Sequence, residues 1–174
     1  MADLLRQAFR YCPRCGHPVD SGNNPLRCSQ CSFVYFFTPI SAVASIVSNH
    51  SGEILLLRRA KDPGKGKFGL PGGFIDPGES ADEAMHREME EELNLKIERM
   101  EYLAALPNTY EYADVVLDVT DIFFSATVQS FDPIRAQQGE VADWHMIQPG
   151  PEHLNEMAFE SNRQALELYL RSRS

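Results

Sequence analysis

A loop with four glycines that runs straight into a carboxylate-laden helix is the feature that most narrows what this chain can fold into. The loop reads Gly69-Leu70-Pro71-Gly72-Gly73-Phe74-Ile75-Asp76-Pro77-Gly78-Glu79, and its glycines sit where backbone can closely approach a metal ion or a phosphate. Residues 80–93 predict a helix, opened by Ser80 as N-cap with Glu83 three residues on, the spacing of a capping box. Its apolar stripe is sparse: Ala81, Ala84, Met85, Met89 and Leu93. One face packs and the other is left to charge.

Residues 80–92 hold six carboxylates against one arginine. Glu88, Glu91 and Glu92 stand at i, i+3 and i+4, so they project from one face and repel one another. They also lie towards the helix C-terminus, where the backbone dipole disfavours each anion by a few tenths to about 1 kcal/mol. The plain alternative is a solvated acidic face, but such a face would carry its acids in the first turn and bases in the last. A bound cation is the simplest compensation. Oxygen-only ligands favour Mg²⁺ or Mn²⁺, which join a carboxylate cluster to substrate phosphates.

Taken together, Gly73, five residues, Glu79, seven residues, then Arg87-Glu88-Met89-Glu90-Glu91-Glu92-Leu93-Asn94-Leu95 resembles the Nudix box, G-x5-E-x7-R-E-U-x-E-E-x-G-U with U a bulky aliphatic residue. One position departs: Asn94 stands where the family has Gly, at a helix end that calls for a left-handed backbone, for which Asn ranks next after Gly. The resemblance implies a Nudix-type α/β/α sandwich with a mixed β-sheet and hydrolysis of a nucleoside diphosphate linked to another moiety. It makes Glu88, Glu91, Glu92 and the Gly72 carbonyl the ligands of catalytic Mg²⁺ or Mn²⁺. Arg87 would hold Glu91 in place, and Glu79 would close the loop against the helix. The general base varies in the family; Glu140, just ahead of a strand at 141–147, fits one arrangement, with Glu111 and Asp114 weaker candidates.

The other dense motif is Cys12-Pro13-Arg14-Cys15, twelve residues, Cys28-Ser29-Gln30-Cys31. Two C-x2-C pairs at that spacing supply four thiolates for a tetrahedral, structural Zn²⁺. A small zinc ribbon over residues 1–38 ahead of a Nudix domain over 39–174 is similar to NADH pyrophosphatases and related hydrolases. Those enzymes carry S-Q-P-W-P-F-P-x-S shortly after the box, and nothing like it occurs between Lys96 and Val128 here. ADP-ribose or a related nucleotide sugar is therefore the first expected substrate, with NADH or another dinucleotide as the alternative. A non-catalytic ligand sensor, its ribbon contacting protein or nucleic acid, is the reading from another class, and the intact box acids favour catalysis. Tyr110 and Tyr112 could stack on a base or ribose, or simply pack in a strand; Arg58 is the accompanying basic candidate.

Elsewhere, residues 42–48 and 53–59 are β-rich runs around Asn49-His50-Ser51-Gly52, a hairpin signal. Strands are expected over 97–106, 115–128 and 141–147, and a last helix over 161–171 with Ala165, Leu166, Tyr169 and Leu170 inward. The net charge of −9 argues against a general nucleic-acid binder, although residues 1–38 carry four Arg and two Asp. No apolar run approaches the roughly 18 residues of a membrane span and no secretion signal is evident, so a cytoplasmic protein is expected. The resemblance also implies a homodimer as a common assembly.

Overall fold

Residues 42–47 are all buried, which a strand achieves only when both its faces are covered. The computed structural model that shows this describes residues 3–112, 114–135 and 141–173. In chain order its elements are β1 (Asp3–Leu4), α1 (Leu5–Ala8), β2 (Leu26–Arg27), β3 (Val34–Tyr35), β4 (Ile40–Ser48), β5 (Ile54–Arg59), β6 (Phe68–Gly69) and β7 (Gly72–Phe74). Then follow α2 (Ala81–Leu93), β8 (Arg99–Tyr112), β9 (Val115–Thr127), β10 (Val141–Ile147), a 3₁₀ turn at Pro151–Glu156, and α3 (Glu160–Ser172). They form two compact units, one of Met1–Ile40 with Thr109–Val119, the other of Ser41–Asn108 with Thr120–Ser174.

In the larger unit the sheet runs β9-β4-β5-β10, with β8 beside β9, β7 beside β4 and β6 beside β5. The period-2 rule decides which helix each strand residue meets. Val43 and Val47 of β4, Leu55 and Leu57 of β5, and Phe124 and Ala126 of β9 join Ala84, Met85, Met89 and Leu93 of α2 in one core. Their neighbours Ala44, Ile46, Ile54, Leu56 and Phe123 join Ala165, Leu166 and Tyr169 of α3 in the other. One helix therefore covers each face, giving an α/β/α sandwich. Burying each of Met85, Met89 and Leu93, all at 0% exposure, stabilises the seat of α2 by roughly 1.5–3 kcal/mol.

Helix α2 begins as its sequence predicts. Ser80 Oγ accepts from the Glu83 N–H at 3.2 Å and the Glu83 carboxylate accepts from the Ser80 N–H at 2.9 Å. Asn94 ends it with φ 55° and ψ 35°. Strand β8 runs on past Leu106 to Tyr112, through Pro107. Its sheet partner is β9, and an edge strand tolerates a residue that cannot donate to a ladder.

The smaller unit has the antiparallel pair β2/β3, Leu26 opposite Tyr35, and a parallel pairing of β1 with the start of β9 at Val115 and Val116. That pairing accounts for Thr109–Val119 being grouped with a distant stretch of sequence. Phe9, Tyr35 and Phe37 pack ring to ring at 5.0–5.8 Å between centroids.

Candidate active site

Short strand β7 carries two glycines, one pressed against backbone and the other against a carboxylate. Gly72 has φ +147°, and a Cβ on it would lie 2.1 Å from the Val43 carbonyl oxygen. This close approach lays β7 along β4 with Gly72 opposite Ala44 and Gly73 opposite Val43. A Cβ on Gly73 would lie 2.3 Å from Glu88 Oε1, so the space a side chain would take is filled by a carboxylate of α2. The Gly72 N–H donates to Glu92 Oε2 at 3.1 Å, and Glu92 is buried at 9% exposure.

Arg87 is the hub of this arrangement. Its Nε and Nη2 donate to the two oxygens of Glu79, both at 2.9 Å, a fork-to-fork pair. Nη1 reaches Glu88 at 2.7 Å and Glu91 at 3.3 Å, and Nη2 also donates to the Phe74 carbonyl at 3.0 Å. One guanidinium thus ties the loop, through Glu79 and Phe74, to the acidic face of the helix. Glu79 in turn accepts from the Asp76 N–H at 3.1 Å. Hydrogen bonds from Arg87 hold the Glu79 carboxyl below the usual carboxylate range, and Glu79 first, then Glu88, push the Arg87 pKa up.

The structure brings Gly72, Gly73, Glu79, Arg87, Glu88, Glu91 and Glu92 into one neighbourhood. Three carboxylates share one guanidinium and Glu92 stands beside them on the Gly72 N–H, leaving a formal charge of −3 over the four acids and Arg87, and α2 has no basic residue in its last turn. Hard oxygen donors carrying excess negative charge are what a divalent cation such as Mg²⁺ binds. Of the remaining sequence candidates, Glu140 lies outside the described residues. Tyr110, Tyr112, Glu111 and Asp114 belong to the smaller unit, Tyr112 at 69% exposure. Arg58 lies over the Phe68 ring, 4.2 Å from its centroid, and donates to the Gly66 carbonyl. Sequence reasoning missed the bond from Arg87 to Phe74, since nothing in the sequence signals an arginine aimed at a backbone carbonyl.

The smaller unit holds a second constellation. Sγ atoms of Cys12, Cys15, Cys28 and Cys31 all lie within 4.8 Å of one another. Cys12 to Cys31 and Cys15 to Cys28 are both 3.7 Å. Thiolates about 2.3 Å from a tetrahedral ion stand about 3.8 Å apart. The sulfurs are therefore placed as ligands rather than as disulfides, and they fit a zinc ribbon.

The two turns repeat one geometry. The Cys12 N–H donates to the His17 carbonyl and the Gly16 N–H to the Cys12 carbonyl. Cys28, Phe33 and Ser32 make the same two bonds. Gly16 and Ser32 both take left-handed backbone, φ 71° and 59°. At Cys28 desolvation raises the pKa, but the N–H groups of Cys31 and Gln30 lower it more, to about 7. At Cys15 the His17 N–H lowers the pKa, yet hydrogen bonding with Cys31, desolvation and the other thiols push it up to about 12. Four thiols this close compete for protons that a cation would displace.

A family profile described as the NUDIX domain matches residues 38–169. The chain belongs to the Nudix family. Among its Nudix relatives, the NAD-capped RNA hydrolase NudC of Chromobacterium violaceum is 31% identical over 147 residues, 82% of this chain and 52% of that protein. The chain spans about half the length of the curated relatives it matches. A Nudix hydrolase from Nitrosomonas europaea superposes with a TM-score of 0.68 at 22% identity, covering 95% of this chain and 92% of that one. The Nudix domain of Shewanella oneidensis NrtR, complexed with ADP ribose, gives 0.65 at 23% identity over 80% and 91%. At these identities the likeness establishes the fold. Among the described residues, no helix is long and apolar enough to cross a membrane.

Proposed function

We propose that this Nudix protein hydrolyses the pyrophosphate bond of a nucleoside diphosphate linked to a second moiety, ADP-ribose first among substrates, in the cytoplasm. In this reading residues 39–174 are the hydrolase domain and residues 1–38 a structural zinc ribbon with Cys12, Cys15, Cys28 and Cys31 on Zn²⁺. The observation that carries it is the Arg87 hub. It collects Glu79, Glu88 and Glu91 beside Glu92 and the Gly72 backbone, a donor set made only of oxygen with charge to spare.

Mg²⁺ or Mn²⁺ on Glu88, Glu91, Glu92 and the Gly72 carbonyl would neutralise the phosphates and lower the pKa of a bound water. The protein's own part is positional. Arg87 keeps Glu88 and Glu91 aimed from the helix, while the Gly72 N–H fixes Glu92 against the loop. Glu140 is the proposed base that takes the proton of the attacking water. Water adds to one phosphorus and the bridging P–O bond breaks, so ADP-ribose yields AMP and ribose 5-phosphate. No Ser or Cys nucleophile is needed.

A dinucleotide such as NADH is the second reading. It is favoured by the relative named as an NAD-capped RNA hydrolase, and opposed by the missing S-Q-P-W-P-F-P-x-S segment. The deciding experiment incubates the purified protein with Mg²⁺ and ADP-ribose, NADH, diadenosine polyphosphates or nucleoside triphosphates, and follows AMP and phosphate. Metal-dependent release of AMP from ADP-ribose is expected. Lack of turnover across the panel, with tight ligand binding instead, would overturn the enzymatic reading in favour of a sensor. Elemental analysis should find about one zinc per chain, retained when Mg²⁺ is withdrawn.

A further inference from the structure

Strand β10 ends the sheet order of the larger unit, and its register assigns each side chain to a face. Trp144 stands opposite Leu57, which on its other side stands opposite Gly69 of β6; Met146 stands opposite Leu55. Directly opposed residues share a face, and Leu55 and Leu57 belong to the core under α2. Trp144 and Met146 therefore lie on the box-helix face. They stay partly exposed there, at 39% and 53%. His145 points the other way, its ring edge-on to Phe68 at 5.1 Å, while Arg58 covers the face of that ring. This packing pins the register, since a one-residue slip would turn Trp144 to the α3 side.

The row Trp144, Leu57, Gly69 runs from the indole across buried Leu57 to a buried glycine, beside which the stem of Arg59 lies where a side chain would have been. Strands stand about 4.8 Å apart, so Trp144 and Gly69 are about 10 Å apart at the backbone. Three residues on from Gly69 is Gly72, whose N–H holds Glu92. The stretch 58–67 carries Arg58, Arg59, Lys61, Lys65 and Lys67 against Asp62 alone, in a chain of net charge −9, and its three lysines are exposed. A cationic loop beside an exposed aromatic, on the sheet face that carries the carboxylate helix, suits an anionic ligand with a flat ring system better than an apolar peptide.

We propose that Trp144 is the stacking platform for the nucleobase of the substrate, a specificity-determining residue that places the pyrophosphate at Glu88 and Glu92. The proposal rests on the hydrolase reading above. Because Trp144 is the chain's single tryptophan, its fluorescence reports on this spot alone.

AMP and ADP-ribose, titrated into the zinc-loaded protein with Mg²⁺, should quench that fluorescence, while ribose 5-phosphate, which lacks the base, should not. Trp144→Ala should raise KM for the substrate that turns over by roughly 5- to 150-fold, the usual worth of one base stack, with kcat within a few-fold. Trp144→Phe should restore most of the loss. Inhibition by inorganic pyrophosphate should be the same in all three proteins; parallel weakening in Trp144→Ala would show a structural role instead. If the panel gives turnover but AMP binds without changing the fluorescence, or KM is unmoved by Trp144→Ala, the platform is refuted and the hydrolase stands. If the panel gives none, the hydrolase reading has failed and the platform with it.

Discussion

Replacing Gly73 by alanine separates the chemistry from the fold, and its neighbour Gly72 supplies the control. A Cβ at Gly73 lies 2.3 Å from Glu88 Oε1 and 2.6 Å from Cδ, where ordinary contact begins near 3.4 Å. The carboxylate must retreat by about 1 Å, a displacement that costs on the order of 100-fold in rate at a positioned catalytic group. Glu88 Oε1 is the end of a flexible side chain and the Gly73 backbone is one alanine adopts. The fold should lose under about 1 kcal/mol, a shift of no more than about 4 °C for a chain this size. Gly72→Ala is the reverse case. Its Cβ would meet the Val43 carbonyl oxygen at 2.1 Å and Ala44 Cα at 2.7 Å, backbone atoms that cannot turn aside, and its φ is +147°. Overpacking and the strained backbone together should cost about 2–5 kcal/mol, lowering Tm by roughly 5–20 °C. The assay pairs kcat for AMP release at saturating Mg²⁺ with thermal unfolding of the same preparations. Near-native kcat in Gly73→Ala would refute the placement of Glu88, and a native Tm in Gly72→Ala would refute the β7/β4 contact.

Glu88→Gln and Glu92→Gln should each lower turnover by orders of magnitude with little change in Tm, since glutamine keeps an acceptor for Arg87 at position 88 and for the Gly72 N–H at position 92 but removes charge; near-native activity in both would unseat the metal assignment. Ser32→Gly should stabilise the second cysteine turn by about 1 kcal/mol, because Ser32 holds a left-handed φ of 59° that glycine adopts freely, as Gly16 already does in the first. Thermal unfolding of the zinc-loaded protein would register the gain. Asp121 is buried at 7% exposure, with Ser161 and Asn108 both donating to its Oδ2, and burial raises its pKa. Stability linked to its proton is present at low pH and lost as pH rises through the native pKa, so Asp121→Asn should raise Tm at pH 8 and gain progressively less as pH falls. A Tm difference independent of pH would show that the charge is not the cause.

Much of α2 and its site was legible because the interactions are local. Ser80 and Glu83 are three residues apart, Arg87 and Glu91 four, and the turn at Asn94 depends on its own backbone. Period-2 and period-3.6 patterns located β4, β5, β9, β10 and α3 for the same reason. Short strands β6 and β7 have two and three residues, too few for any period to show; β6 is placed by its pairing with β5, and β7 by the fit of Gly72 against Val43 and Ala44. The Asp121–Ser161 bond joins residues forty positions apart, and the Trp144, Leu57, Gly69 row needs three strands in register; neither leaves a local mark. Tyr110 and Tyr112 stand out in the sequence as aromatics soon after the box, while Trp144 is placed on the box-helix face only by the register of β10 on β5.

The alternation along β4 and β5 gives the protein two histories it can follow separately. Leu55 and Leu57 seat α2, while Ile54 and Leu56 seat α3, although the four are consecutive in the chain. A change at Leu57 is felt by the helix that bears Glu88 and Glu92, and one at Leu56 by the helix on the far side. Lineages can therefore drift in the packing, length and surface of the C-terminal helix while the acidic face stays under constraint. In a comparison of many such chains, substitution rates along β4 and β5 should rise and fall with every second residue.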